Sequence, residues 1–195
     1  YKAIQQEAEL LDCPLVGGDT CIQRRDSDSG IHLTVTVLGS VTRPVLRSGA
    51  KPGDRIFVTG PLGGSFVSGR HLSPPVRIPE ALQLRSCLGD NLHAMIDISD
   101  GLGKDAMAIA SSSHVRVVLE AVLIPCHPGS NWKNALQDGE DHELLFTVAE
   151  DADCSGLPFE VVEIGRVAEG TPTVQVVDPE GLHIDGSELG WNHGS

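Results

Sequence analysis

Met95-Ile96-Asp97-Ile98-Ser99-Asp100-Gly101-Leu102 is the stretch of this 195-residue sequence whose residue types and spacing bear most directly on chemistry. Asp97 stands in an otherwise apolar run, Ala94–Ile98, that reads as a short strand. A carboxylate buried there alone would cost on the order of several kcal/mol, so it needs a cation or a donor. Period two puts Asp97 and Ser99 on one face of the strand. Asp100 falls where the strand gives way to a predicted helix over Leu102–Ser113, and a helix N-terminus favours anions through its free N–H groups and dipole. Two carboxylates and a hydroxyl are hard oxygen donors. Such a set suits Mg²⁺, which takes one or two carboxylates and completes its shell with phosphate oxygens and water. The same residues also fit a plainer reading, with Asp100 as an N-cap and Asp97 as a paired core acid.

Gly17-Gly18-Asp19-Thr20 has a related shape: a short apolar stretch, Leu15-Val16, runs into two glycines that let backbone approach a ligand, then a carboxylate and a hydroxyl. Its plain alternative is a glycine turn in which Asp19 satisfies its own backbone. A third cluster, Asp138-Gly139-Glu140-Asp141-His142-Glu143, precedes an apolar strand and reads alone as a solvated acidic loop. Arg47, in a loop with glycines, has the fork geometry to clamp a phosphate, and equally the profile of a surface arginine. Other patterns fail on inspection. Gly60–Ser65 (GPLGGS) lacks the Lys-Ser/Thr of a P-loop, and no GxGxxG follows a strand. Asp26-Ser27-Asp28-Ser29 lacks the later Gly and Glu of a calcium loop.

The elements that must hold these residues form an α+β pattern with no steady βαβ period. Helices are predicted over residues 2–12, 80–88 and 102–113. Strands are predicted at Leu15-Val16 and over 31–41, 55–59, 94–98, 115–119, 143–148, 159–167 and 173–177. The loop near residues 42–50 is the expected domain boundary. Lys2–Leu11 carries helical spacing with no N-cap before it, so the chain is expected to be the C-terminal part of something longer.

Composition narrows the function classes. The net charge is −13, and all of it lies in residues 98–195, which hold 17 acidic and 4 basic side chains. That half cannot displace counterions from a phosphate backbone, which argues against nucleic acid as a partner. No apolar run approaches the ~20 residues that span a bilayer. The five cysteines show no CxxC pair or finger spacing, which points to the cytoplasm and away from a disulfide framework or structural zinc.

Taken together, LVGGDT (15–20), LRSGAKPGD (46–54), VTGPLGGS (58–65), MIDISDGL (95–102), GEDHELLFTV (139–148), EIGRV (163–167) and GWNH (190–193) resemble one family in order and interval. It is thiamine-monophosphate kinase, of the aminoimidazole-ribonucleotide-synthetase-like ATP-binding superfamily. The pairing of DISDGL with GED-x-ELLF separates it from relatives that make selenophosphate or mature hydrogenase.

The resemblance implies Mg²⁺-dependent transfer of the γ-phosphoryl of ATP to thiamine monophosphate, giving thiamine diphosphate and ADP, without a phospho-enzyme. Carried over by position, it implies that Asp19, Asp97 and Asp100 bind magnesium and that Arg47 and Ser99 contact ATP. Glu140 and Trp191 would hold the thiamine substrate. It implies further that residues 1–45 end an N-terminal α/β domain that forms a homodimer, and that 46–195 are a complete C-terminal α+β domain. Two departures stand out: His142 where the family commonly has tyrosine, and Gly194-Ser195 where it usually places an aromatic. The remaining alternatives are a superfamily relative acting on another small molecule and a metal-binding fragment without catalysis.

Overall fold

A computed structural model describes residues 2–21 and 32–191. They fall into two compact units, residues 1–40 and 41–195. No helix among the described residues is long and apolar enough to cross a membrane.

In the first unit, helix α1 (Lys2–Leu10) half-buries Ile4 and Ala8 on one side and exposes the rest. It closes on Asp12, which takes a left-handed conformation at φ 49°, and Cys13 N–H returns to the Ala8 carbonyl at 2.8 Å ahead of Pro14. The expected strand at Leu15-Val16 does not form, and neither does the one over 32–41; position 31 lies outside the described residues. Leu33, Val35, Val37 and Leu38 alternate in sequence yet stand exposed. A strand exists only by exchanging hydrogen bonds with a neighbour, and none of the described residues of this unit supplies one.

The second unit is built on a seven-stranded sheet. In chain order the strands are β1 (Arg55–Val58), β2 (Leu92–Ile98), β3 (Arg116–Glu120), β4 (Glu143–Val148), β5 (Val162–Ala168), β6 (Thr173–Val177) and β7 (His183–Asp185). Their spatial order is β2-β4-β1-β5-β3-β6-β7, antiparallel except for the β3/β6 pair. The helices are α2 (Ser65–Ser68), α3 (Ile78–Leu88), α4 (Leu102–Ser113) and α5 (Trp132–Gln137). Of these elements, α5 and β7 were not expected from sequence; both are short.

The sheet is covered on both faces, and period two decides which side chain goes where. Ile56, Val58, Leu145, Val117, Leu119 and Val174 face one layer with Leu102, Ala106, Ile109 and Ala110 of α4. Phe57, Leu144, Phe146 and Val148 face the other, with Leu84 and Leu88 of α3. Phe57 and Phe146 are cross-strand partners whose rings stack 5.6 Å apart. Every residue of β4 is buried, as a central strand between two layers requires. Its N-terminal end meets the C-terminal end of the edge strand β2, pairing Glu143 with Ile98, and this junction carries the acidic motifs.

Candidate functional site

Ile98 and Ser99 end β2 by offering their carbonyls to the acidic loop that precedes β4. His142 N–H donates to Ile98 O and Glu140 N–H to Ser99 O, both at 2.8 Å. Glu140 and His142 sit at φ 67° and 54°, in the left-handed region that side chains beyond glycine rarely adopt. The bonds to β2 hold that conformation, and the His142 ring lies 3.2 Å from the Glu140 carboxylate. Gly139 permits the approach: a Cβ there would lie 2.6 Å from Ser99 O. Gly139→Ala is therefore expected to lower stability by about 1–3 kcal/mol, the usual range for overpacking, read as the denaturant midpoint. An unchanged midpoint would show that the loop is not pressed against β2.

Asp105, in the first turn of α4, reaches back so that one carboxylate oxygen accepts the N–H groups of Ser99 and Asp100, each at 3.0 Å. This is the reciprocal logic of a capping box: an acid inside the helix satisfies donors ahead of it. Burial pushes the Asp105 carboxyl up to about 6. The two N–H bonds pull it down, and the negative charges of Asp100 and Asp97 raise it further. Burial, more than the neighbouring carboxylates, is what disfavours the ionised form of Asp105.

The C-terminal segment closes the site from the other side. Trp191 N–H donates to Asp100 O at 2.8 Å, and Lys104 Nζ lies 2.9 Å from Asp100 Oδ2 and 2.8 Å from Trp191 O. The Trp191 side chain is exposed. Asp97, Ser99, Asp100, Glu140 and Trp191 therefore gather at one end of the sheet.

Two expectations change in detail. Asp97 is exposed and not buried, so the cost assigned to an unpartnered core acid does not arise. It shares a face with Met95, which packs in the α3 layer, but β2 is an edge strand and that layer leaves position 97 open. Arg47 is not brought to the cluster. It is exposed, and its carbonyl accepts the Ser113 hydroxyl at 3.0 Å at the far end of α4, some ~17 Å along the helix from its start. Asp19 lies in the first unit, where one of its carboxylate oxygens accepts Thr20 N–H at 2.8 Å. Among the described residues no three His, Cys, Asp or Glu side chains converge as a ready cage for a metal ion.

The acidic loop divides by role in a way the sequence did not announce. Asp141 is fully enclosed and accepts Gly63 N–H at 2.8 Å, the Ser65 hydroxyl at 2.6 Å and the Arg70 guanidinium at 2.9 Å. Burial pushes its carboxyl up, against those donors. Asp138 takes Gly64 N–H at 2.9 Å. The glycine-rich turn thus spends its amides on the protein's own carboxylates. Only Glu140 of this loop's acids stands exposed, which leaves it available to a ligand.

No family model matches the chain. Among curated relatives, the thiamine-monophosphate kinase of Rhodopirellula baltica is 35% identical over 186 residues, covering 90% of this chain and 54% of its own length. That of Aquifex aeolicus is 30% identical over 226 residues, covering 99% of this chain and 67% of its own. The chain belongs to the thiamine-monophosphate kinase family. It spans about half the length of the first of these family members and two thirds of the second. Among solved structures, AaThiL complexed with AMPPCP and TMP superposes with a TM-score of 0.58 at 29% identity, covering 76% of this chain and 54% of that one. The E. coli hydrogenase maturation protein HypE shares the fold, with a TM-score of 0.70 at 18% identity over 97% of this chain and 66% of that one. The mixed α+β fold of this chain matches that of these solved structures.

Proposed function

We propose that the protein transfers the γ-phosphoryl group of ATP to thiamine monophosphate, giving thiamine diphosphate and ADP. The observation that carries this reading is the gathering of Asp97, Ser99, Asp100, Glu140 and Trp191 at one sheet end, in a member of a family with a structure that binds an ATP analogue together with TMP.

The donor set suits a hard divalent cation. Asp97 and Asp100 offer carboxylate oxygens, and Asp100 already holds the Lys104 ammonium at 2.9 Å, which shows that its oxygen can take a positive charge. Asp97 and Asp100 would hold Mg²⁺, and Asp19 is assigned the same role on its motif alone. Bound there, Mg²⁺ supplies the charge neutralisation that lets two polyanions meet. Ser99 is the proposed contact to ATP at this sheet end; Arg47, which lies by the far end of α4, is assigned to ATP on its motif alone. Glu140 balances the positive ring of the thiamine moiety, and Trp191 offers a face to stack on it. The acceptor is a phosphate oxygen, largely ionised near neutral pH because its second pKa is ~6, so no general base is required. Positioning carries most of the rate.

In the same reading residues 1–45 belong to an N-terminal domain that forms a homodimer, and 46–195 to a C-terminal domain of the aminoimidazole-ribonucleotide-synthetase-like type. The protein works in the cytoplasm. The test is an assay of the whole protein with ATP, Mg²⁺ and thiamine monophosphate, in which thiamine diphosphate and ADP are expected in equal amounts. Trp191→Ala and Glu140→Gln are expected to raise KM for thiamine monophosphate about tenfold or more, with KM for ATP unmoved, as loss of one stacking or charge contact implies. Phosphorylation of a different acceptor in preference to thiamine monophosphate would overturn the substrate.

A further inference from the structure

Lys104 bonds two groups at once. Its ammonium lies 2.9 Å from the Asp100 carboxylate and 2.8 Å from the Trp191 carbonyl. The Trp191 N–H in turn donates to the Asp100 carbonyl at 2.8 Å. Gly190 lets the segment lie this close, since a Cβ there would fall 2.6 Å from the Lys104 Cβ. The placement of Trp191 therefore runs through Asp100 by two routes, one through backbone and one through the Lys104 ammonium. Only the second depends on charge.

We propose that Lys104 is a positioning residue that couples cation occupancy at Asp100 to the placement of Trp191. With no divalent cation present, the ammonium neutralises Asp100 and ties the Trp191 carbonyl to the start of α4. A divalent cation on the same carboxylate oxygen competes with the ammonium for it, because like charges a few ångströms apart repel. Lys104 then leaves Asp100, and its hold on the Trp191 carbonyl goes with it. Lysine suits this role: its ammonium is a compact charge on a flexible stem, able to move to solvent without disturbing the helix that carries it. The site residue expected to stack on the substrate is thus held differently before and after the metal arrives. The inference rests on the reading of Asp100 as a cation ligand.

Fluorine NMR of the chain labelled with fluorotryptophan tests it, with the Trp191 resonance assigned by its loss in Trp191→Phe. In the parent, MgCl₂ is expected to shift the Trp191 resonance, and NaCl at matched ionic strength is not. In Lys104→Met the resonance is expected at the Mg²⁺-saturated position before any Mg²⁺ is added, and to stay there during the titration. Lys104→Arg, which keeps a charged donor, is expected to restore the Mg²⁺-free position. Overlap of the Mg²⁺-free spectra of the parent and Lys104→Met would overturn the proposal, since Lys104 would then position nothing. A parent resonance that ignores Mg²⁺ would also overturn it. Calorimetry then separates the two failures. Mg²⁺ binding that is lost in Asp100→Asn leaves the metal assignment standing and the coupling refuted, whereas binding indifferent to Asp100→Asn refutes the metal assignment itself.

Discussion

Asp100→Asn is expected to lower kcat/KM for thiamine monophosphate phosphorylation by about a hundredfold or more, the scale on which one preorganised electrostatic group acts in a transition state. Asn keeps the size and one oxygen of Asp but removes the charge a divalent cation requires. The side-chain pair with Lys104 that goes is partly exposed and worth ~1 kcal/mol or less. The Trp191 N–H bond to the Asp100 carbonyl is backbone and survives. The signature is therefore a large loss of rate with a small change in denaturant midpoint. Asp97→Asn is expected to behave in the same way, since Asp97 is exposed near the end of an edge strand. Both variants are expected to need more Mg²⁺ for half-maximal rate, and the double variant to lose less than the product of the single losses, because the two carboxylates act as a unit. Parent-like rates in both, at limiting Mg²⁺, would remove these residues from the metal site.

How much of this was readable beforehand depends on whether the deciding interaction is local. Helix α4 was readable because its apolar positions recur on one face and Asp105 satisfies the amides just ahead of it, all between residues 99 and 110. Strand β4 was readable as an apolar run flanked by acids. Its neighbours were not, because strand order is set by contacts between residues that can lie more than a hundred positions apart. The exposure of Asp97 follows from β2 lying at the sheet edge, which an apolar run cannot disclose. The stretch 32–41 shows the reverse case: its alternation suits a half-buried strand, yet no ladder forms among the described residues.

The candidate site was readable in its motifs and obscure in its division of labour. DISDGL and GED were recognisable as acidic segments beside an apolar strand and a helix start. That Glu140 is exposed while Asp141 and Glu143 are buried could have been suspected from period two as the loop enters β4. What the buried acids bond could not, since Asp141 finds its donors in a glycine turn more than seventy residues away. The glycine-rich segment at 60–65 has the look of a phosphate cradle, yet Gly63 and Gly64 give their amides to Asp141 and Asp138.

The largest effect on stability is expected at Glu143. Arg77 grips its carboxylate with two nitrogens, each at 2.8 Å, and the Thr59 hydroxyl donates to it at 2.6 Å. Thr59 also accepts the Leu144 N–H at 2.9 Å, so the group fixes the first residues of β4 beside β1. The hydrogen bond to Glu143, reinforced by the charges of Glu143 and Glu80, pushes the Arg77 guanidinium above its ordinary range despite burial. Glu143→Ala leaves the Arg77 guanidinium with Glu80 as its remaining carboxylate and takes from the Thr59 hydroxyl its acceptor. Breaking a buried pair from one side costs about 3–5 kcal/mol, a large part of a domain's whole stability. Glu143→Gln keeps an oxygen for Thr59 or Arg77 and is expected to cost roughly half as much. Arg77→Met combined with Glu143→Leu is expected to be milder than the sum of the two single changes, because neither Arg77 nor Glu143 is left facing an empty place, although Glu80 loses the Arg77 nitrogen at 2.6 Å. Denaturant unfolding at neutral pH measures all five variants, the two single changes of the pair included. A Glu143→Ala loss below about 1 kcal/mol would mean that Arg77 reaches solvent once freed, and that the pair sets the direction of β4 without stabilising it.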